Sequence, residues 1–246
     1  MKQETKVSII TVAFNSQDTI RETIESVLNQ TYTNIEYWII DGLSTDNTVK
    51  IAEEYVDLFE KSGKELHIIS EKDEGIYDAM NKGISKSTGD IVGIINSDDW
   101  YETDTVEKVV AVFYNENCDV MYGDLRVHNE KGSFIKKAKY RNLATTRDWN
   151  HPTMFVAREV YNNIRYKNHN IHDDWDFMLR VRKAKYKIAV VNETLANFRF
   201  GGVSNTTKEN IIKRINKKYA AYKENGYSFV YWFDCAAVVM VKDLWK

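Results

Sequence analysis

Three acidic groups in this chain each follow a short apolar run. Asp41 closes residues 37–40, Asp73-Glu74 come shortly after 66–69, and Asp98-Asp99 follow 91–95. If those runs are strands of an open parallel sheet, ligands gather beyond their carboxyl ends, where the backbone leaves the sheet. A single acid there is ordinary turn chemistry, and Asp46 reads that way, as a helix N-cap. Three groups along one edge crowd negative charge around one crevice, which is costly unless a cation neutralises it. Asp98, with Asp99 in support, offers hard oxygen ligands for Mg²⁺ or Mn²⁺, leaving the other positions to phosphate oxygens and water. Neither GxGxxG nor GxxxxGK[ST] occurs in the chain. A diphosphate would therefore be held mainly by something other than a glycine-rich loop and helix amides, and a divalent metal meets that need.

The elements that must position these acids are legible in the first half. Residues 7–13 form a β-branched run, and Asn15, Ser16 and Asp18 supply capping chemistry for a helix whose inner face carries Ile20, Ile24, Val27 and Leu28. Ser44-Thr45-Asp46 open a second helix, with Val49, Ala52, Val56 and Phe59 inward, and a third carries Val106, Val109, Val110 and Phe113. Repeated strand–helix units over about 100 residues predict an α/β fold with a parallel, right-handed, doubly wound sheet. After Asp119 the pattern changes: 120–127 and 133–137 read as antiparallel strands joined around Glu130-Lys131-Gly132. A helix at 174–183, strands at 188–191 and 195–198, and helices at 208–224 and 228–244 complete the reading.

Composition narrows the function classes. The chain has 246 residues, 43% hydrophobic and 28% charged, with a formal net charge of −2, so no basic field calls for nucleic acid. Cys118 and Cys235 lie far apart without metal-type spacing, as expected of buried thiols in a reducing compartment. No apolar run reaches the roughly 20 residues of a spanning helix. A cytoplasmic protein is expected, one that could still lie on a membrane surface.

With these residues in place, the sequence resembles the inverting family 2 glycosyltransferases of the GT-A fold, in their bacterial polysaccharide-type form. VSIITVAFN (7–15) looks like that family's opening strand, and IIDGLSTDNT (39–48) like its second-strand motif, whose first acid faces the nucleotide base. EKDEGIYDAMNKG (71–83) is similar to the loop and helix that flank the donor. NSDDW (96–100) resembles the metal motif, and DDWDF (173–177) with Arg180 resembles the catalytic-acid segment. Two positions depart from the pattern: Asn96 stands where an Asp is usual, and Asp173-Asp174 stand where Glu-Asp is usual. Alignment on Trp175 and Arg180 favours Asp174 as the base, with Asp173 the alternative.

The resemblance implies a mostly parallel central sheet flanked by helices. Residues 1–205 would be the catalytic domain, with a nucleotide-sugar half (1–100) and an acceptor half (101–205), and 206–246 a helical tail. It implies transfer of a sugar from a nucleotide-diphosphate-sugar donor to a saccharide or lipid-linked saccharide acceptor. Asn15, Asp41, Asp73, Asp98 and Asp99 then belong to the donor site, Asp98 and Asp99 to the metal, and Trp100 and His151 to the acceptor site. His151 reads equally as a structural turn histidine. Arg180 braces its segment by an ion pair, whereas Arg199, Gly201-Gly202 and Asn205 read either as a loop over the diphosphate or as a hairpin exit. His169 and His172 lack the further ligands a zinc site needs. A nucleotidyltransferase or a non-catalytic sugar-nucleotide-binding protein are the alternatives; the first would want a glycine- and basic-rich loop where Asn15-Ser16-Gln17-Asp18 stand, the second loss of the acid at 174.

The tail (206–246) holds eight basic residues against four acids, together with Phe229, Tyr231, Trp232, Phe233 and Trp245. Two readings follow: a helix pair whose apolar face packs on the catalytic domain, or a basic, aromatic contact with the inner face of a membrane.

Overall fold

A computed structural model of the chain describes residues 5–201 and 210–244, with side chains through Val241. The first half runs β1 (Val7–Ala13), α1 (Ile20–Leu28), β2 (Ile35–Asp41), α2 (Thr48–Glu53), α3 (Val56–Lys61), β3 (Glu65–Ser70), α4 (Ile76–Lys86) and β4 (Ile91–Asn96). The second runs β5 (Trp100–Tyr101), α5 (Thr105–Glu116), β6 (Val120–Asn129), β7 (Gly132–Lys136), a 3₁₀ turn (His151–Thr153), β8 (Phe155–Ala157), α6 (Arg158–Asn163), α7 (Asp173–Lys183), β9 (Ile188–Arg199), α8 (Ile211–Glu224) and α9 (Val230–Leu244).

The strands form one sheet in the order β3-β2-β1-β4-β8-β6-β9-β5, with β7 paired to β6. β3, β2, β1 and β4 are mutually parallel, as the repeated strand–helix units require; β8 then enters antiparallel between β4 and β6. Register decides where the chemistry falls. Ala13 pairs with Asp41, Asp41 with Ser70, and Val12 with Asn96, so the carboxyl ends of four strands share one edge. Because the chain leaves β1 toward β2 and returns on its other side as β4, this edge is a topological switch point.

Strand alternation feeds two cores, one on each face. Ile10, Val12, Val92 and Ile94 pack with Tyr77 and Met80 of α4, Trp175 and Phe177 of α7, Ile215 and Tyr222 of α8, and Cys235 and Val239 of α9. Ile9, Ile39 and Ile95 pack with Ile20, Ile24 and Val27 of α1, Ala52, Phe59, and Val106 and Val109 of α5. The tail helices thus share the core of the catalytic domain on their inner side. The expected domain boundary at 205 and the glycine at 202 lie outside the described residues.

Two expectations need correction. The helix from 48 onward breaks at Glu54-Tyr55 into α2 and α3, and the change of phase turns Tyr55 and Phe59 inward while Val56 faces solvent. Residues 188–191 and 195–198 are one strand, not two. Asn192 and Glu193 are absorbed as an irregularity, since Val191 pairs with Gly123 while Thr194 pairs with Asp124.

At the opposite, amino-terminal edge a buried acid ties three segments. The Glu36 carboxylate accepts hydrogen bonds from Ser8 Oγ (2.5 Å), Thr88 Oγ1 (2.7 Å) and Gly89 N (3.1 Å), and Lys6 Nζ lies 3.2 Å away. Burial alone would raise this carboxyl; the hydrogen bonds from Ser8, Thr88 and Gly89 overcome it and hold it at about 2. A depressed folded pKa stabilises above the unfolded value, near 4.5, and that stabilisation is lost as pH falls toward 2. Glu36→Gln should therefore cost on the order of 3 kcal/mol at neutral pH. Chemical denaturation from pH 7 down to 2 should show the gap between wild type and variant closing below about pH 4.5.

Candidate active site

The loops leaving β1 and β2 are locked to each other. Asp41 is fully buried, and its carboxylate accepts from Ser44 N (2.9 Å), from Ser70 Oγ (2.7 Å) and from the Ser44 hydroxyl. It therefore organises the second-strand loop, with both oxygens already engaged by its own neighbours. Asn15 takes a left-handed backbone (φ 49), which asparagine tolerates better than most residues. Its Oδ1 accepts from Thr45 N (2.9 Å), and its own N–H donates to Ser44 Oγ (2.7 Å). Asp46 accepts from Thr48 N (2.9 Å) and Gln17 N (3.1 Å); its role is structural as expected, although the N-cap of α2 is Asn47, one residue later. Phe14 and Leu43 stand exposed on these two loops. Sequence reasoning singled out neither; Phe14 sits within the quoted opening strand, and an aromatic left without burial was the available signal.

Asp73 leans over the same wall. Its Oδ1 accepts from Gly75 N (2.9 Å), while Oδ2 approaches Gly42 so closely that a Cβ there would lie 2.5 Å away. Any side chain at 42 would displace this carboxylate.

The turn after β4 carries the most electrostatically uncompensated pair. Asp98 is partly buried and Asp99 fully so. Burial pushes both carboxyls up, and the neighbouring Asp98 charge raises Asp99 further; Arg199 offsets this in part. Asp99 Oδ1 accepts from Arg199 N (3.2 Å), but Asp99 Oδ2 and the Asn96 side-chain oxygen are buried without a hydrogen-bond partner. Buried oxygens are normally satisfied, so two orphaned hard acceptors beside a strained acid pair fit a divalent cation. Trp100, on β5, packs at a tilt against His128 (4.9 Å between ring centres) and lies under the Arg199 guanidinium (5.2 Å).

The two adjacent aspartates opening α7 have divergent roles. Asp173 is buried, and its Oδ2 accepts from His169 N (2.5 Å) and Asn170 N (3.0 Å), closing the preceding loop. Asp174 is partly exposed, accepts from Trp175 N (2.7 Å) and makes no ion pair among the described residues. Its charge helps to raise Tyr77 and Tyr166 and opposes the fall that burial imposes on His151. His151 Nε2 lies 3.2 Å from the Tyr166 hydroxyl, and burial keeps the imidazole pKa below its ordinary value despite the pull of Asp174. His151 thus feels the charge of the candidate base and has Tyr166 and Trp149 as neighbours, while Trp100 has a different set near Arg199. Tyr77 and Tyr166 escaped sequence reasoning as individual residues, although Tyr77 lies in a segment that drew notice.

The loop before α7 is clamped to α4 and the turn that precedes it. Tyr77 Oη donates to Ile171 O (3.1 Å), Asn81 Nδ2 to Tyr166 O (2.8 Å) and Asn168 Nδ2 to Glu74 O (2.8 Å). Behind it, Arg180 pairs with Asp176 (2.8 Å), which Lys167 (3.0 Å) and Asn225 (2.7 Å) also meet, so Arg180 braces the helix as expected. Of the suggested loop over the diphosphate, Arg199 and Gly201 are described; Asn205 lies outside the described residues. His169 and His172 join no metal-type cluster among the described residues. The one such cluster, Glu36, Glu65 and His67, already holds the Lys6 ammonium.

A switch-point edge lined by acids, facing a second half that supplies a carboxylate at a helix start, defines a glycosyltransferase of the GT-A fold. The model of glycosyl transferase family 2 matches residues 8–187, and the chain belongs to that family. A PGL/p-HBAD biosynthesis glycosyltransferase of Mycobacterium bovis is 30% identical over 224 residues, 85% of this chain and 83% of its own. TuaG of Bacillus subtilis, ascribed to teichuronic acid biosynthesis, is 27% identical over 89% of this chain and 87% of its own. Among solved structures, S. aureus TarS 1-349 in complex with UDP-GlcNAc superposes at a TM-score of 0.69 with 17% identity, covering 96% of this chain and 72% of that one. A mannosyltransferase of Pyrobaculum calidifontis in complex with GDP-Man and Mn²⁺ gives 0.68 with 14% identity, over 98% and 75%. At those identities the structural likeness bears on the fold.

Asp174→Asn retains shape and removes basicity, so it should slow sugar transfer by about 10²–10⁴-fold with donor affinity little changed. Asp173→Asn should instead lower the melting temperature and leave most of the rate; a crippled rate in that variant, with Asp174→Asn active, would reverse the assignment.

Proposed function

We propose that this enzyme inverts the anomeric centre of a nucleotide-diphosphate-sugar and delivers the sugar to the hydroxyl of a saccharide or lipid-linked saccharide, in bacterial polysaccharide or glycolipid synthesis. The observation that carries this reading is the contrast at the start of α7: Asp173 is consumed by its loop, and Asp174 keeps an accessible carboxylate beside neutral His151. An acceptor hydroxyl has a pKa far above 7 and must lose its proton as it attacks; Asp174 is placed to take that proton. His151, held uncharged by burial, can exchange hydrogen bonds with the sugar or acceptor without competing for the proton.

Asn15, Asp41 and Asp73 form the wall for the base and ribose, Asp41 acting chiefly by shaping the Ser44 loop. Asp98 and Asp99, with the Asn96 oxygen as a weak third donor, would hold Mg²⁺ or Mn²⁺, which supplies charge neutralisation for the departing diphosphate. Trp100, beside Arg199, serves the acceptor side. The relatives named for PGL/p-HBAD biosynthesis and for teichuronic acid biosynthesis support a saccharide-type acceptor; the location in this reading is the cytoplasmic side, with the tail against the membrane surface.

A panel of nucleotide-sugars scored by nucleoside diphosphate release should find a donor, and NMR of the product should show an inverted anomeric centre. Chelation by EDTA or Asp98→Ala should abolish release with the fold intact by circular dichroism. Full turnover in excess EDTA would remove the metal. Diphosphate release from a sugar-1-phosphate and a nucleoside triphosphate would replace the reading with nucleotidyl transfer.

A further inference from the structure

Three acids stand in the first turn of α7, and one of them is tied to the tail. Asp173 is engaged by the amides of His169 and Asn170. Asp176, two residues after the candidate base, is buried, and its Oδ2 accepts from Arg180 Nε (2.8 Å) on the same helix. Its Oδ1 accepts from Lys167 Nζ (3.0 Å), in the loop before α7, and from Asn225 Nδ2 (2.7 Å). Asn225 closes α8, and Glu224 just before it holds the same Lys167 ammonium (2.9 Å).

An amide suits this place. The Nδ2 of Asn225 carries two hydrogens, and both are used, one on Asp176 and one on Ala221 O (2.8 Å). The side chain is thus fixed from within α8 where it meets α7. Its backbone carbonyl accepts from Lys183 Nζ (3.4 Å), in the last turn of α7. One buried residue of the tail therefore touches both ends of the helix that carries Asp174.

The tail also backs the segment that bears His151. Ring centres of Tyr222 and Trp175 lie 5.9 Å apart, those of Trp175 and Trp149 5.2 Å, and those of Trp149 and His151 5.7 Å. Tyr222 Oη donates to Ala144 O (3.0 Å), and Asp234 of α9 accepts from Thr145 Oγ1 (2.8 Å). Apolar burial alone would hold the tail against the domain; a satisfied network of directional bonds fixes one geometry. We propose that Asn225 is a positioning residue for sugar transfer: through Asp176 it holds the first turn of α7, and with it Asp174, where an acceptor hydroxyl can be deprotonated. This rests on Asp174 as the base and goes beyond it, because it makes the tail part of the catalytic frame.

Asn225→Ala should keep the donor KM within about twofold and lose kcat by at least about tenfold, since a misplacement of about 1 Å can cost ~10²-fold. Asn225→Asp, nearly isosteric, keeps the packing, removes both N–H donors and should show the same split. Glu36→Gln is the control for stability: it loosens the opposite edge of the sheet and should leave kcat unchanged well below its melting temperature. Hydrogen exchange of the full chain reads the brace without turnover. Amides 177–180 should exchange at least about tenfold faster in Asn225→Ala, with those of β1 and β4 unchanged. Wild-type kcat in both Asn225 variants, or unchanged exchange in α7, overturns the proposal, as does an equal loss of kcat in Glu36→Gln. If α7 loosens as described and the wild type turns over no nucleotide-sugar, the hold of Asn225 on α7 stands and the transferase chemistry fails.

Discussion

Parallel register between β1, β2, β3 and β4 is the constraint on which the site depends. Once Ala13 is opposite Asp41 and Asp41 opposite Ser70, the loops beyond them have no choice but to meet. The Asn15–Thr45 and Asp41–Ser44–Ser70 bonds follow from that alignment, as does the approach of Asp73 to Gly42. A slip by one residue would turn the buried alternation of all four strands inside out, so hydrophobic burial on both faces fixes the position of polar groups at the edge. The chemistry is placed by the cores, not by the acids, which repel one another.

This explains what the sequence discloses. Continuous apolar runs and capping residues mark β1, β2, β3 and β4 and the helices between them, and the acids at strand ends follow from the same pattern. Where backbone geometry depends on distant contacts, the pattern is mute. β8 has three residues and β5 two, too short for any period, yet β8 carries the sheet from its parallel into its mixed half. The irregularity at Asn192-Glu193 looks like a loop in sequence because its polar residues interrupt a strand that pairs with β6 on either side of them.

The site was legible to the level of motifs and not to the level of partners. Spacing cannot tell Asp173 from Asp174, since both open one helix; the difference lies in the backbone amides of His169 and Asn170, which fold back on one carboxylate only. Asp41 illustrates the reverse: its place in the motif was evident, but its engagement with Ser44 and Ser70 was not. Tyr77, Asn81 and Asn168 were invisible because their importance lies in the carbonyls they reach across the chain, at Ile171, Tyr166 and Glu74.

The two edges of the sheet divide labour. Glu36, Lys6, Ser8 and Thr88 knot the amino edge with a buried charge, whereas at the carboxyl edge Asp99 Oδ2 and Asn96 Oδ1 are buried without a partner. Robustness and novelty are therefore stored in different places. Loops beyond the carboxyl edge can drift toward new sugars and acceptors while the knot at the far end absorbs the loss of stability such drift entails. A lineage built on this frame can diversify its products without refounding its fold, and directed evolution of specificity would do well to reinforce the amino edge first.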